Sequence, residues 1–167
     1  MLKAIVQFFK ALNSNAHPGE IAHAFALGMI LGFLPKNNAL WYILTVFFFF
    51  LRINRGALII MTLLFSLLAP LLDPIFDTIG YTFLNIDFLE PAFRTLLEIP
   101  FVGFTRFNNT IVSGSLLFAL FMYVPVFMVS KVSVKGWRAT LAPALRKTKI
   151  IKYISKLPLI KKIGESL

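Results

Sequence analysis

Cysteine is absent from this chain of 167 residues, and acidic residues are scarce. Without cysteine the chain can form no disulfide bond, no thiolate metal site and no cysteine nucleophile. Asp and Glu together number seven, and charged residues make up only 14% of the sequence, against about 25% in an ordinary soluble domain. Hydrophobic residues reach 58% of the chain, and 19 of them are Phe. The composition therefore excludes an ordinary soluble domain and predicts a protein whose solvent is largely lipid.

The net charge of +10 is concentrated near the C-terminal end of the sequence. Residues 1–130 contain seven basic and six acidic side chains, whereas residues 131–167 contain ten basic side chains and one glutamate. This division predicts a helical membrane domain, residues 1–130, followed by a basic cytoplasmic tail, residues 131–167. Each Lys or Arg near an anionic leaflet contributes about 1 kcal/mol of binding. The tail lysines predicted to contact anionic lipid are Lys147, Lys149, Lys152, Lys156, Lys161 and Lys162.

Nucleic acid is the other polyanion that a basic tail could bind. The tail has only two aromatic side chains for base stacking and no recognised nucleic-acid-binding motif. We therefore expect membrane phospholipids, and not nucleic acid, to be its partners, and docking to an acidic cytoplasmic protein stays open as a third interpretation.

Apolar runs separated by polar turns predict an all-α integral membrane protein with about four short or re-entrant transmembrane helices. The predicted helices cover residues 20–34, 39–51, 56–72 and 111–130. At about 1.5 Å per residue, the first two are shorter than a hydrocarbon core of about 30 Å. Two alternatives therefore stay open for residues 20–51: two short crossings, or one re-entrant hairpin. Residues 73–110 mix charged and apolar side chains and are predicted to be an external or interfacial segment.

Amphipathic sequence is expected at both ends of the chain. In residues 1–12 an apolar face lies opposite a narrow stripe that includes Lys3 and Lys10, which predicts a helix lying in the membrane interface. A secretory signal peptide is the competing interpretation, but Lys10 interrupts the apolar run. The C-terminal tail also contains a short basic amphipathic segment. Because positive charge is retained on the cytoplasmic side, a multi-pass topology with both termini in the cytoplasm is predicted.

Small residues recur along one face of the helix predicted at residues 20–34. Ala24, Gly28 and Gly32 are spaced four apart, and Pro35 ends the run. In lipid, small residues at this spacing allow helices to approach closely. The pattern predicts a helix-packing or partner interface, and both packing within the chain and contact with another subunit remain open.

The candidate polar functional residues lie at the ends of the predicted helix 56–72. They are Arg52, Asn54, Arg55, Asp73 and Asp77. Ionisable groups at membrane depth are candidates for function, and the two aspartates, four residues apart, could face a common partner such as one of the arginines or a cation. The alternative is that both aspartates belong to a solvated helix end.

No catalytic residue is predicted. The chain contains no Ser-His-Asp set, no glycine-rich phosphate loop and no H-E-x-x-H motif. Glu20 and His23 have the spacing of a carboxylate-bridged metal site, but such a site needs a second motif and further carboxylates. We therefore expect no enzyme activity, no cofactor and no metal.

Three motifs lie within residues 15–84: His17-Pro18, an alanine- and glycine-rich helix that ends in Gly28-x-x-x-Gly32-Phe33-x-Pro35, and Leu51-Arg52-Ile53-Asn54. Together they resemble a bacterial membrane family, the domain of unknown function 2062. The chain departs from the pattern at Ala69-Pro70, where many members would have Asn-Pro. The resemblance implies a bacterial inner-membrane protein without a recognised catalytic motif, and some relatives resemble companions of large AsmA-like proteins that carry lipid between envelope membranes.

The function expected from these features is that of a non-enzymatic inner-membrane subunit that anchors or gates a larger cell-envelope assembly. By analogy with the relatives, the assembly would transport phospholipid with an AsmA-like partner, in a hetero-complex. The alternative is a small oligomeric transporter or channel, because paired short helices interrupted by Pro or Gly are typical of sites built from broken helices.

Overall fold

The computed structural model describes residues 17–141, which are helical and contain no strand. Five α-helices follow one another: α1 (Pro18–Phe33), α2 (Ala39–Phe49), α3 (Arg55–Leu84), α4 (Glu90–Glu98) and α5 (Thr110–Gly136). Short 3₁₀ turns lie at Asp87–Leu89 and Val102–Thr105, and a π-helical turn, Trp137–Leu141, follows α5. The predicted all-α class is confirmed over this part of the chain. The predicted interfacial helix at residues 1–12 and the tail beyond residue 141 lie outside the described residues.

Side-chain caps determine where the helices begin. Asn38, Asn54 and Asn109 stand immediately before α2, α3 and α5, and each side-chain oxygen accepts a hydrogen bond from the backbone N–H three residues later, at 2.9, 2.9 and 3.2 Å. His17 caps α1 in a related way, since its Nδ1 accepts from the Gly19 N–H at 3.3 Å. Asparagine is among the best N-cap residues because it satisfies an otherwise unpaired donor.

Two helices extend further than the sequence predicts. Helix α3 runs for 30 residues, through Pro70 and Pro74, to Leu84, whereas its end was expected at residue 72. A proline inside a helix costs about 3 kcal/mol, and this cost is offset because Phe76 and Gly80, beyond both prolines, are buried. Helix α5 likewise continues past residue 130 to Gly136. The first part of the predicted external segment and of the basic tail is therefore helical.

Helices α1, α3 and α5 pack together as a three-helix bundle. The glycines of α1 set its direction relative to α3: Gly28 lies against Met61, and Gly32, one turn later, lies against Phe65, so the two helices run parallel. Since α5 contacts both of these helices in the opposite order, it runs antiparallel to them.

The core of the bundle is centred on α1. Eleven of its 16 residues are buried, on every face of the helix. At its C-terminal end the ring of Phe33 lies 5.1 Å from Phe65, 5.2 Å from Phe76 and 6.0 Å from Phe118, measured between ring centroids. Phe65 and Phe76 lie on opposite sides of Pro70, so α3 contacts the end of α1 both before and after its prolines.

The outer surface of the helices is strongly apolar. Helix α2 buries only Phe48. Large exposed side chains on α3 follow one face at Ile59, Leu63, Leu67 and Leu71, and the outer face of α5 continues the apolar surface. Arg55–Leu84 and Thr110–Thr140 are long and apolar enough to cross a membrane, and only 11% and 28% of their most hydrophobic windows are buried, unlike the core helix of a soluble protein.

Candidate functional site

A cleft of about 420 Å³ lies where α1 ends and α5 begins. Three parts of the chain line it: the end of α1 with its following turn, the middle of α3, and the segment that enters α5. The lining residues are Gly32, Phe33, Leu34, Pro35, Lys36, Asn37, Ser66, Ala69, Pro70, Asp73, Arg106, Asn109, Ile111 and Val112. This volume lies within the usual range of small-molecule sites, about 300–1,000 Å³.

Three charged side chains line this cleft: Lys36, Asp73 and Arg106. Within residues 17–141 none of them forms an ion pair, and the salt bridge found there, between Arg94 and Glu90 at 2.7 Å, belongs to α4. Neighbouring protein atoms partly desolvate the ammonium group and lower the pKa of Lys36. The cleft therefore holds two cationic groups and one carboxylate that the described part of the chain leaves available.

Hydrogen bonds attach the turn that carries Lys36 to both α1 and α2. Asn38 is buried, its Nδ2 donates to the carbonyl oxygen of Pro35 at 2.6 Å, and its side-chain oxygen caps α2. The indole Nε1 of Trp41 donates to the carbonyl oxygen of Leu31 at 2.9 Å. These bonds fix the turn against the end of α1, which positions Lys36 beside α3.

Arg106 occupies a strained backbone conformation at the other side of the cleft. Its φ is 53° and its ψ is 31°, the left-handed region, which costs a residue with a Cβ about 1–2 kcal/mol. Local bonds retain this geometry: the Asn109 N–H donates to the Arg106 carbonyl oxygen at 2.9 Å, and the Ser113 hydroxyl donates to the carbonyl oxygen of Phe107. Strain of this kind is concentrated at functional sites.

The two aspartates of α3 have different surroundings. Asp73 lines the cleft, whereas Asp77 accepts a hydrogen bond from the hydroxyl of Thr110 at the start of α5. Eighteen residues, or about 27 Å of helix, separate Asp73 from Arg55. The common arginine partner considered for the aspartates is therefore not found within the described residues.

The other candidate polar residues surround the start of α3. Arg55 donates from Nη2 to the carbonyl oxygen of Phe49 at 3.4 Å, and its guanidinium lies 5.9 Å from the centre of the Phe49 ring. Arg52 is exposed, and Asn54 caps the helix. These residues terminate and begin helices and do not line the cleft.

The small-residue face of α1 packs inside this chain. A Cβ on Gly28 would lie 2.7 Å from the Cβ of Met61, and one on Gly32 would overlap Phe65. Ala24 is fully buried, and Pro35 lines the cleft. Helix α3 therefore occupies the face that the sequence left open to a partner.

The tightest helix crossing was missed by the sequence reasoning. A methyl group on Gly80 would overlap the carbonyl of Thr110, and one on Gly114 would overlap the carbonyl of Phe76. The available signal was Ser113-Gly114-Ser115, a run of small residues at the start of an otherwise bulky helix. Lys36 and Arg106 were also missed as site residues, because neither stands in a motif. The six tail lysines predicted to contact lipid lie outside the described residues.

Over residues 17–141 the protein is all-helical, and two helices in this part are long and apolar enough to span a membrane. The sequence is 37% identical over 162 residues to an uncharacterized protein of Treponema pallidum (strain Nichols), an alignment that covers 97% of this chain and 100% of the relative. The chain belongs to the same family as this treponemal protein. No family model and no solved structure matches the chain. The resemblance to the domain of unknown function 2062 stays a prediction.

Proposed function

We propose that the protein is a non-enzymatic subunit of the bacterial inner membrane that anchors or gates a larger cell-envelope assembly for phospholipid transport. The observation that carries this proposal is the combination of an apolar outer surface with a charged cleft at one end of the bundle. A surface of this kind is stable in lipid, and a charged cleft at the bundle end offers a place where a polar group can bind. The AsmA-like partner is supported by the family resemblance alone.

A topology with four crossings is part of this proposal. The turn at residues 34–37 lines the same cleft as residues 106–112, which lead into α5. His23, near the start of α1, contacts Phe127, four residues before Lys131. Helix α1 therefore accompanies α5 through most of its apolar length, which favours two short crossings over a shallow re-entrant hairpin. At 16 residues, or about 24 Å, α1 would require local thinning of the bilayer.

The proposed orientation follows from the basic residues after the apolar part of α5. Lys131, Lys135 and Arg138 lie at the end of the bundle opposite the cleft. Since positive charge is retained in the cytoplasm, the cleft would open at the external surface of the inner membrane.

Single-cysteine labelling tests this topology, and the absence of native cysteine removes any background. Asn37→Cys in the α1–α2 turn and Asn108→Cys before α5 should both react with a membrane-impermeant maleimide in intact spheroplasts. Lys135→Cys should react only after the membrane is permeabilised. If Asn37→Cys needed permeabilisation while Asn108→Cys did not, residues 20–51 would form a re-entrant hairpin and the four-crossing topology would be wrong.

Capture of a partner tests the role as a subunit. The tagged protein, extracted from its native membrane in a mild detergent, should co-purify with a large envelope protein at a fixed stoichiometry, identified by mass spectrometry. A monodisperse monomer that retains no other protein would refute the subunit role.

A small oligomeric transporter is the second candidate, because Lys36, Asp73 and Arg106 gather in one cleft of a chain with few charges. In that case Asp73→Asn should abolish a measured flux through proteoliposomes, while Arg52→Gln, which lies away from the cleft, should serve as the matched control. An unchanged flux in Asp73→Asn would exclude charge-coupled transport through this cleft.

A further inference from the structure

We propose that the cleft binds the headgroup of a zwitterionic phospholipid, with Lys36 and Arg106 on the phosphate and Asp73 on the amine. This inference rests on the proposed function, because it assumes that the cleft opens at a lipid surface. It specifies the class of lipid that the cleft binds, which the proposed function leaves open.

The cleft presents two cationic groups for the phosphate of such a headgroup and one carboxylate for its amine. A phosphodiester carries one negative charge, and Lys and Arg bind phosphate oxygens through charge-assisted hydrogen bonds. The cleft also contains residues at the N-terminal end of α5, a 27-residue helix whose dipole favours an anion there. Asp73 provides the single carboxylate, which is the complement of a primary ammonium.

The three charged side chains, all of them among the described residues, form no ion pairs with one another, which indicates a ligand that carries one negative and one positive group. Asp73 makes no ion pair with Lys36 or Arg106 in the described part of the chain, although all three line one cavity. An anion alone would pair with the two cations and leave the carboxylate of Asp73, which is half-buried, without a counter-charge. Partial desolvation lowers the pKa of Lys36, and a bound phosphate would oppose this shift.

The size and position of the cleft fit a headgroup but not a whole lipid. A volume of about 420 Å³ accommodates a phosphoethanolamine group with its glycerol, whereas two acyl chains have to lie outside. Leu67 and Leu71 flank Pro70 of the cleft on the outer surface of α3 and are 76% and 75% exposed. They offer an apolar path along which acyl chains can leave the cleft.

Competition between two lipids tests the inference on the purified full chain. The protein, delipidated in dodecyl maltoside, is mixed with equal amounts of dioleoyl phosphatidylethanolamine and dioleoyl phosphatidylglycerol, and the bound lipid is counted by native mass spectrometry. The unaltered protein should retain one phosphatidylethanolamine in preference to phosphatidylglycerol. Equal retention of the two lipids would overturn the inference.

Variants of the cleft separate the roles of the charges. Asp73→Asn should lower the retention of phosphatidylethanolamine by about tenfold and leave that of phosphatidylglycerol unchanged, since a hydrogen bond to a charged group contributes about a factor of ten or more. Lys36→Gln with Arg106→Asn should weaken both lipids, and Asn tolerates the left-handed backbone of Arg106. Lys135→Gln, at the opposite end of α5, is the matched control and should change neither.

Several outcomes would overturn the inference. Equal loss of both lipids in Asp73→Asn would remove the assigned role of the carboxylate, and full retention in the double variant would remove that of the cations. Asp73→Asn, which conserves the side-chain size, carries the test alone if the double variant does not fold.

A soluble phosphate compound is the alternative ligand for the same charged side chains of the cleft. Displacement of the lipid by millimolar inorganic phosphate would assign the site to a soluble anion and overturn the lipid assignment, whereas displacement by glycerophosphoethanolamine but not by phosphate supports it. Because bound lipid is counted on the isolated chain, this result is independent of whether a partner protein is captured. Failure of the subunit role and failure of the headgroup site can therefore be told apart.

Discussion

The crossing of α3 and α5 at Gly80 and Gly114 predicts a large effect for one added methyl group. In Gly114→Ala the new Cβ would overlap the carbonyl oxygen of Phe76, which is a backbone atom and cannot rotate away. The helices then have to separate, and a gap of about 0.5–1 Å loses about a quarter to a half of the dispersion attraction at the contact. The Asp77–Thr110 hydrogen bond lies beside this crossing and would be stretched by the same movement.

The expected magnitude is the balance of two terms. Overpacking costs about 1–3 kcal/mol, and the rigid backbone at this site puts the cost at the upper end, about 3 kcal/mol. Alanine is a better helix former than glycine by about 1 kcal/mol. The net effect of Gly114→Ala should therefore be a loss of about 2 kcal/mol in the free energy of unfolding.

Gly136→Ala provides the matched control in the same helix. Outside its own helix backbone, no atom of the described residues lies within 4 Å of the position that its Cβ would take, so only the helix propensity changes, and stability should rise by up to about 1 kcal/mol. Both variants can be compared by titrating the protein in mixed micelles with SDS and following far-UV circular dichroism. If Gly114→Ala were as stable as Gly136→Ala, the helices would not approach as closely as described, and the reasoning would be refuted.

Two further substitutions can be measured in the same titration. Asn38→Ala removes the cap of α2 and the bond to the carbonyl of Pro35, and should cost about 1–2 kcal/mol, whereas Asn38→Ser loses that bond but retains an N-cap hydroxyl and should cost less; equal costs would mean that the cap contributes nothing. Tyr123→Phe removes the 2.7 Å bond between its hydroxyl and His23 Nδ1 and should cost about 1 kcal/mol. An unchanged stability in Tyr123→Phe would show that water replaces this bond at no cost.

Residues close in sequence predict where the helices begin better than they predict where the helices end. The asparagine caps and the polar turns mark where α2, α3 and α5 begin, because capping depends on residues close in sequence. The end of α3 could not be predicted, since Pro70 and Pro74 normally end a helix. What carries the helix past them is the burial of Phe76 and Gly80, and this contact with a distant helix leaves no local pattern.

In the candidate site, too, local patterns are visible in the sequence, whereas contacts between distant segments are not. Gly28 and Gly32 form a repeat within one helix, so the sequence indicates a packing face, although it does not name the helix that packs there. Lys36, Asp73 and Arg106 are each single charges in unrelated segments, and only the packing of the bundle brings them to one cleft. Of the three, only Asp73 is a candidate from the sequence, because it stands beside an apolar run.

The enclosure of α1 has a consequence for biosynthesis. The ribosome produces α1 first, yet the two helices that surround it, α3 and α5, are produced later, and α5 comes last of the five. A nascent chain that has not yet reached Thr110 lacks one wall of the bundle, and the end of α1 then has no Phe118 to pack against. Helix α1 therefore lacks part of its packing surface until α5, the last of the five helices, has been synthesised.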